Sequence, residues 1–128
     1  MRILLDTCTF LWIVTDAPEL SDLSREVFVN PGNEVYLSAV STWEIAIKHA
    51  IGRLPLPEVP EKFIPAQRKE HGVASLALEE EATLHLTRLP EMHKDPFDRM
   101  LICQAIVQGL VILTPDELIM QYPIRCIW

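Results

Sequence analysis

Leu110-Val111-Ile112-Leu113 limits what this chain can fold into more than any other stretch. Four apolar residues run without interruption between Gly109 and the turn-forming Thr114-Pro115-Asp116. Such a strand has no wet face and needs cover on both sides, as in the interior of a parallel sheet. Ile3-Leu4-Leu5 has the same character and stops at Asp6, a carboxylate at the strand's carboxyl tip. Val35-Tyr36-Leu37 reads as a further strand, Gly72-Val73-Ala74-Ser75 as a shorter one, and Ile124-Arg125-Cys126-Ile127 as a last, edge strand. Helical spacing fills the intervals: Thr7–Val14, Glu19–Asn30 (buried face Leu20, Leu23, Val27, Phe28), Trp43–Ile51, Glu61–His71, Leu78–Leu89 and Phe97–Gly109. Strands alternating with helices predict an α/β chain, a three-layer α/β/α sandwich around a short, mostly parallel, Rossmann-like sheet. Ligands of such sheets bind at the carboxyl ends of the strands.

A length of 128 residues suits one domain, residues 1–128, able to bury a core without disulfide or structural metal. The net charge of −7 argues against nucleic-acid binding through bulk charge. It leaves room for an acidic pocket neutralised by a divalent cation, and it suits a partner with a basic surface. Cys8, Cys103 and Cys126 form an odd set without CxxC spacing, which predicts reduced thiols in a cytoplasmic protein and points away from zinc. The apolar N-terminus is interrupted by Asp6 and has no A-x-A site, so it does not read as a signal peptide. No run approaches the ~18 apolar residues of a membrane span. Arg53–Pro60 holds three prolines and reads as a stiff connector, and Glu79-Glu80-Glu81 as a solvated face.

The chemistry concentrates in His93-Lys94-Asp95-Pro96-Phe97-Asp98-Arg99-Met100-Leu101-Ile102-Cys103-Gln104-Ala105. Asp95 stands where a helix N-cap belongs, Pro96 at the first helical position and Asp98 in the first turn. Phe97, Met100, Leu101, Ala105 and Ile106 mark the core face of that helix. Capping alone accounts for both acids, since carboxylates favour the positive end of a helix. Likewise Ser41-Thr42-Trp43-Glu44 fits a capping box opening the helix at Trp43, and Thr114-Pro115-Asp116 fits cap, first-turn proline and acid. What distinguishes the pattern is the common edge. Asp6 ends the first strand, Glu44 opens the helix after the second, and Asp116 follows Leu110–Leu113. A right-handed crossover brings the start of Asp98's helix to the same side. Converging carboxylates raise one another's pKa, a penalty that a divalent cation removes. Hard oxygen ligands favour Mg²⁺ or Mn²⁺ over zinc, the cations of phosphoryl-transfer chemistry.

Leu4-Leu5-Asp6-Thr7, Ser41-Thr42-Trp43-Glu44-Ile45-Ala46-Ile47-Lys48, Asp95-Pro96-Phe97-Asp98-Arg99-Met100-Leu101-Ile102-Cys103-Gln104-Ala105 and Thr114-Pro115-Asp116 together resemble the PIN domain, in order and spacing, over nearly the whole chain. In particular they resemble the VapC-like toxins of type II toxin–antitoxin pairs, with the Asp-Pro-Phe-Asp-Arg block the most specific part. The resemblance implies a Mg²⁺- or Mn²⁺-dependent endoribonuclease leaving a 5′-phosphate and a 3′-hydroxyl, as a homodimer silenced by a small antitoxin that docks near the acidic site. Carried over by position, Asp6, Glu44, Asp98 and Asp116 match the family's acidic quartet, with Asp6 and Asp98 foremost as metal ligands. Asp95 is a helix cap or a group behind the metal. Thr114 matches a small hydroxyl position, able to orient a water or to cap. Glu117 competes with Asp116 for the metal.

Lys48, Arg53, Lys94 and Arg99 are the candidate RNA contacts, each also readable as a plain solvated charge. None of His49, His71, His85 and His93 has ligand spacing with another, and His93, though close to the acids in sequence, receives no role. Apolar surface around Trp12, Trp43 and Ile127-Trp128 suggests a homodimer. Three other readings stand beside the toxin. An aspartyl phosphatase would use Asp6 as nucleophile but usually needs a second Asp where Cys8 stands. A degenerate PIN-like binding module tends to lose its acids, and here all are kept. A PIN nuclease with an RNA-processing role would lack an antitoxin.

Overall fold

The computed structural model describes residues 1–128. Its centre is a five-stranded, all-parallel sheet in the order β3-β2-β1-β4-β5. The strands are β1 (Arg2–Leu5), β2 (Glu34–Ser38), β3 (Ala74–Leu76), β4 (Val111–Leu113) and β5 (Cys126–Ile127). The chain builds outward from β1 to β2 and β3, then crosses to the other side for β4 and β5. The order therefore reverses between β1 and β4, the place where open parallel sheets leave a crevice at their carboxyl ends.

Period-two alternation in these strands divides the core into two layers. Ile3, Leu5, Val35, Leu37 and Leu113 face one side, where they meet Phe10 and Ile13 of α1 (Thr7–Thr15), Val27 of α2 (Asp22–Val29) and Phe63 and Ile64 of α4 (Pro60–His71). Leu4 and Ile112 face the other, against Ala82 of α5 (Glu80–His85), Leu101, Ile102, Cys103 and Ala105 of α6 (Pro96–Gln108) and Ile119 of α7 (Glu117–Met120). Helix α3 (Ala39–Ala50) contributes to both, through Ile45 and Val40. The expected three-layer α/β/α sandwich is the fold. No helix is long and apolar enough to cross a membrane.

Several local expectations need correction. Helix α3 begins at Ala39, capped by the Ser38 hydroxyl, which accepts the Val40 N–H at 3.0 Å. The strand thus passes straight into the helix, and the capping box of Ser41 and Glu44 does not form. Thr114 does not cap α7 either; Asp116 does, its Oδ1 accepting the Leu118 N–H at 2.8 Å. Helix α2 starts at Asp22 behind a Ser21 cap, a phase that leaves Leu23 48% exposed. The amphipathic 78–89 stretch breaks after His85 into a 3₁₀ turn, Leu86–Arg88. By contrast, Asp95, Pro96 and Gly109 bound α6 as cap, first residue and left-handed terminator.

Candidate metal centre

Strand register places the first two acidic elements side by side. Leu5 pairs with Leu113, so Asp6 and Thr114 are the next residues on adjacent strands. The Thr114 hydroxyl, fully buried, donates to Asp6 Oδ2 at 2.7 Å and accepts the Asp116 N–H at 3.0 Å. One side chain therefore fixes Asp6 against the loop that carries Asp116. Asp6 also caps α1, its Oδ1 accepting the Cys8 N–H at 3.3 Å. Burial raises the pKa of Asp6, the bonds from Thr114 and Cys8 oppose that rise, and the charges of Asp116 and Glu44 add to it.

Asp98 approaches from the mouth of α6, three residues after Asp95. The Asp95 Oδ1 accepts the N–H groups of Phe97 at 2.8 Å and Asp98 at 3.2 Å, which makes it the helix cap and sets the first turn. Asp98 Oδ2 and Asp116 Oδ2 lie 3.0 Å and 3.3 Å from one atom, His93 Nε2. The ligand-capable atoms of His93, Asp98 and Asp116 all fall within 4.8 Å of one another. Burial, followed by the charges of Asp6, Asp95, Glu44 and Asp116, pushes the Asp98 carboxyl up to about 8.

Glu44 lies near enough to Asp6 and Asp98 to raise the pKa of both. It lies in the second turn of α3, buried, with Oε1 accepting the Thr7 hydroxyl at 2.8 Å. Its Oε2 pairs with Lys48 one turn on, and this bond raises the pKa of Lys48. Lys48, a candidate RNA contact, is paired with this acid while its side chain stays 45% exposed. Arg99 is turned inward: one guanidinium nitrogen reaches Pro90 O at 3.0 Å, His93 O at 3.3 Å and Tyr122 Oη at 3.4 Å. Arg53 and Lys94 are exposed, and Glu117 is exposed outside the group that Asp116 joins.

His93 is the residue that sequence reasoning missed. It is 8% exposed and stands two residues before the α6 cap. Only that proximity to Asp95 hinted at it; the His93–Asp116 approach spans 23 residues of sequence and depends on how the loop folds. Cys8 is exposed as a residue, but its thiol is partly desolvated beside the acids, and this burial together with Asp6, Glu44 and Asp98 pushes the thiol up to about 11. At neutral pH it is therefore not a thiolate nucleophile.

The donor set suits a hard divalent cation. Oxygens of Asp98 and Asp116 lie within 4.8 Å of one another, a third carboxylate, Asp6, is tied to Asp116 through Thr114, and burial and neighbouring charge raise the pKa of both Asp6 and Asp98.

Comparison with known proteins bears on the family and the fold. The sequence profile of the PIN domain matches residues 3–123. A 62-residue segment is 34% identical to Ribonuclease VapC16 of Mycobacterium tuberculosis, covering 48% of this chain and 44% of that protein, so the match spans under half of the relative's length. DNA-bound VapBC from Salmonella typhimurium has a similar fold, with a TM-score of 0.68 at 22% identity over 99% of this chain and 97% of the other. VapBC-1 from nontypeable Haemophilus influenzae gives a TM-score of 0.66 at 18% identity over 99% and 97%.

Proposed function

The chain belongs to the PIN domain family, and on that premise we propose that residues 1–128 act as one nuclease domain, a VapC-like endoribonuclease toxin. The observation that carries this reading is the approach of Asp98 and Asp116 to within 4.8 Å of each other beyond the end of β4, with Asp6 tied to Asp116 through Thr114 and with Asp6 and Glu44 near enough to raise the pKa of Asp98. In this reading Asp6, Asp98 and Asp116 hold Mg²⁺ or Mn²⁺, and Glu44 completes the quartet. When bound, the cation supplies a Lewis acid for a phosphoryl oxygen and lowers the pKa of a bound water. The rest of the work falls to the chain. Thr114 keeps the Asp6 carboxylate turned toward the site, Asp95 holds the first turn of α6 so that Asp98 points inward, and Lys48 limits the negative charge that an RNA phosphate meets at Glu44. No Ser, Cys or His nucleophile is needed, and the protonated Cys8 beside Asp6 offers none.

RNA is the substrate in this reading, with Arg53 and Lys94 as its exposed cationic contacts. A small antitoxin is the partner, as in the VapBC complexes of similar fold. The surface we assign to it is an apolar groove of about 690 Å³ between α3 and α4, lined by Trp43, Ala46, Val59, Ile64 and Pro65. It begins on the helix that carries Glu44, at the neighbouring Trp43. Trp43 is 59% exposed there, held edge-on against Phe97 at 5.1 Å. A homodimer and a cytoplasmic location complete the proposal, the latter in keeping with three free cysteines.

The test is cleavage of a pool of structured RNAs by purified protein, with Mg²⁺, Mn²⁺ or EDTA, and with Asp6→Asn alongside. Metal-dependent cleavage leaving 5′-phosphate ends, absent from the variant, supports the reading. Cleavage that persists in EDTA or in Asp6→Asn contradicts it.

A further inference from the structure

His93 sits among the acids as though it were a third ligand, yet its own hydrogen bonds assign it a different part. The main-chain N–H of Asp95 points at His93 Nδ1 from 3.1 Å. A donor aimed at Nδ1 requires a lone pair there, so the ring proton resides on Nε2. Nε2 is the atom that faces Asp98 Oδ2 at 3.0 Å and Asp116 Oδ2 at 3.3 Å. An N–H has no lone pair for a cation; its hydrogen bond goes to Asp116 Oδ2, while Asp98 Oδ2 at 3.0 Å is a close charge contact outside hydrogen-bond geometry.

The surrounding loop is arranged to hold this one ring. Tyr122 Oη accepts the His93 N–H at 2.8 Å and the Met92 N–H at 3.1 Å, and donates to Pro90 O at 2.7 Å. Arg99 clamps the carbonyls of Pro90 and His93 from the other side. The ring is nearly closed to solvent, so water does not easily replace its N–H.

We propose that His93 is a positioning residue: its Nε2–H hydrogen-bonds Asp116 Oδ2 and lies in close charge contact with Asp98 Oδ2, keeping both toward a common point, as a donor behind the metal rather than as a ligand to it. The proposal rests on the metal-nuclease reading above. Groups that orient ligands in this way typically govern about 10–100-fold in metal affinity. The loop from Pro90 to Asp95 thereby becomes part of the site, although it contributes no ligand.

Two measurements on the full chain test it. Long-range ¹⁵N–¹H correlation spectra of the histidine-labelled protein, without metal and with Mg²⁺, report the tautomer directly, with His93 identified from the spectrum of His93→Gln. The proposal expects Nε2–H in both states. A Nδ1–H ring, a doubly protonated ring, or an Nε2 that loses its proton on loading with Mg²⁺ overturns it. In parallel, Mn²⁺ binding is followed through the free-ion EPR signal. His93→Ala is expected to weaken binding ~10–100-fold, and His93→Gln, whose amide N–H reaches the same place, to recover most of the loss. Parent-like binding by His93→Ala, or an equal loss in both variants, counts against the N–H as the active feature. Asp98→Asn is the control for the underlying reading. If the parent binds no Mn²⁺, or Asp98→Asn binds it equally well, the metal reading is what has failed. If the parent binds and Asp98→Asn does not, a failed His93 comparison falls on His93 alone. The tautomer measurement does not depend on His93→Ala folding.

Discussion

The Thr114 hydroxyl joins Asp6 Oδ2 at 2.7 Å across 108 residues of sequence, and in the same position accepts the Asp116 N–H. It thus couples two acids that follow neighbouring strands through one buried atom. Thr114→Val keeps the shape and deletes both bonds. Mn²⁺ affinity and RNA cleavage are expected to fall ~10–100-fold, while Thr114→Ser stays within a few-fold of the parent. Parallel titrations of the three proteins check this.

The buried Asp98 carboxyl gives a pH signature in the metal-free protein. Its pKa of about 8 lies above the ordinary 3.8. The folded state therefore holds this proton more tightly than the unfolded chain does. Stability from Asp98 is fully present below about pH 4 and is lost as pH rises toward about 8. Asp98→Asn removes that loss. The variant should melt higher than the metal-free parent at pH 8, by on the order of 2–4 kcal/mol, and the gap should close toward pH 4. Mg²⁺ should reverse the order at pH 8 by stabilising only the parent. Thermal melts at the two pH values, with and without Mg²⁺, decide it.

Much of this site was legible before the structure, because strand tips and helix mouths leave strong local marks. An apolar run ending in Asp6, and the sequence Asp95-Pro96 ahead of an apolar face, identify their positions from immediate neighbours alone. The start of α3 was misread because Ser38 and Ser41 are both capable caps, and only the end of β2 chooses between them. Thr114 read as a cap for a similar reason: its actual partner, Asp6, is supplied by sheet register. His93 left no mark of its own, since its meeting with Asp116 is made by the fold of a loop. Lys48 pairs with Glu44 at i,i+4 on one helix, a spacing that sequence alone offers, whereas the Pro90 and His93 carbonyls that hold Arg99 are shown only by tertiary structure.

Two exposed cations remain for the substrate. Arg53→Ala and Lys94→Ala should each raise KM for RNA several-fold with kcat little changed, and each should reduce the slope of log affinity against log salt by about 0.7. Steady-state kinetics at two or more salt concentrations would show whether either residue meets a phosphate.

The groove between α3 and α4 makes a separate prediction. Ala46 is exposed on its wall, so Ala46→Arg should fold normally and cleave RNA as the parent does. Its affinity for the antitoxin should drop by about 1–3 kcal/mol or more, as expected for a bulky charge placed in an apolar contact. Calorimetry with the cognate antitoxin, encoded beside the toxin in the proposed pair, measures the difference. Equal affinity for parent and variant would move the docking surface elsewhere.

The most direct measurement of the central claim is anomalous scattering from crystals soaked in Mn²⁺, collected for the parent and for Asp98→Asn. The account predicts a peak bounded by the carboxylates of Asp6, Asp98 and Asp116, with the His93 ring behind Asp98 and Asp116 rather than bonded to the ion, and no such peak in the variant. A peak away from these carboxylates, or one that survives in Asp98→Asn, would contradict it.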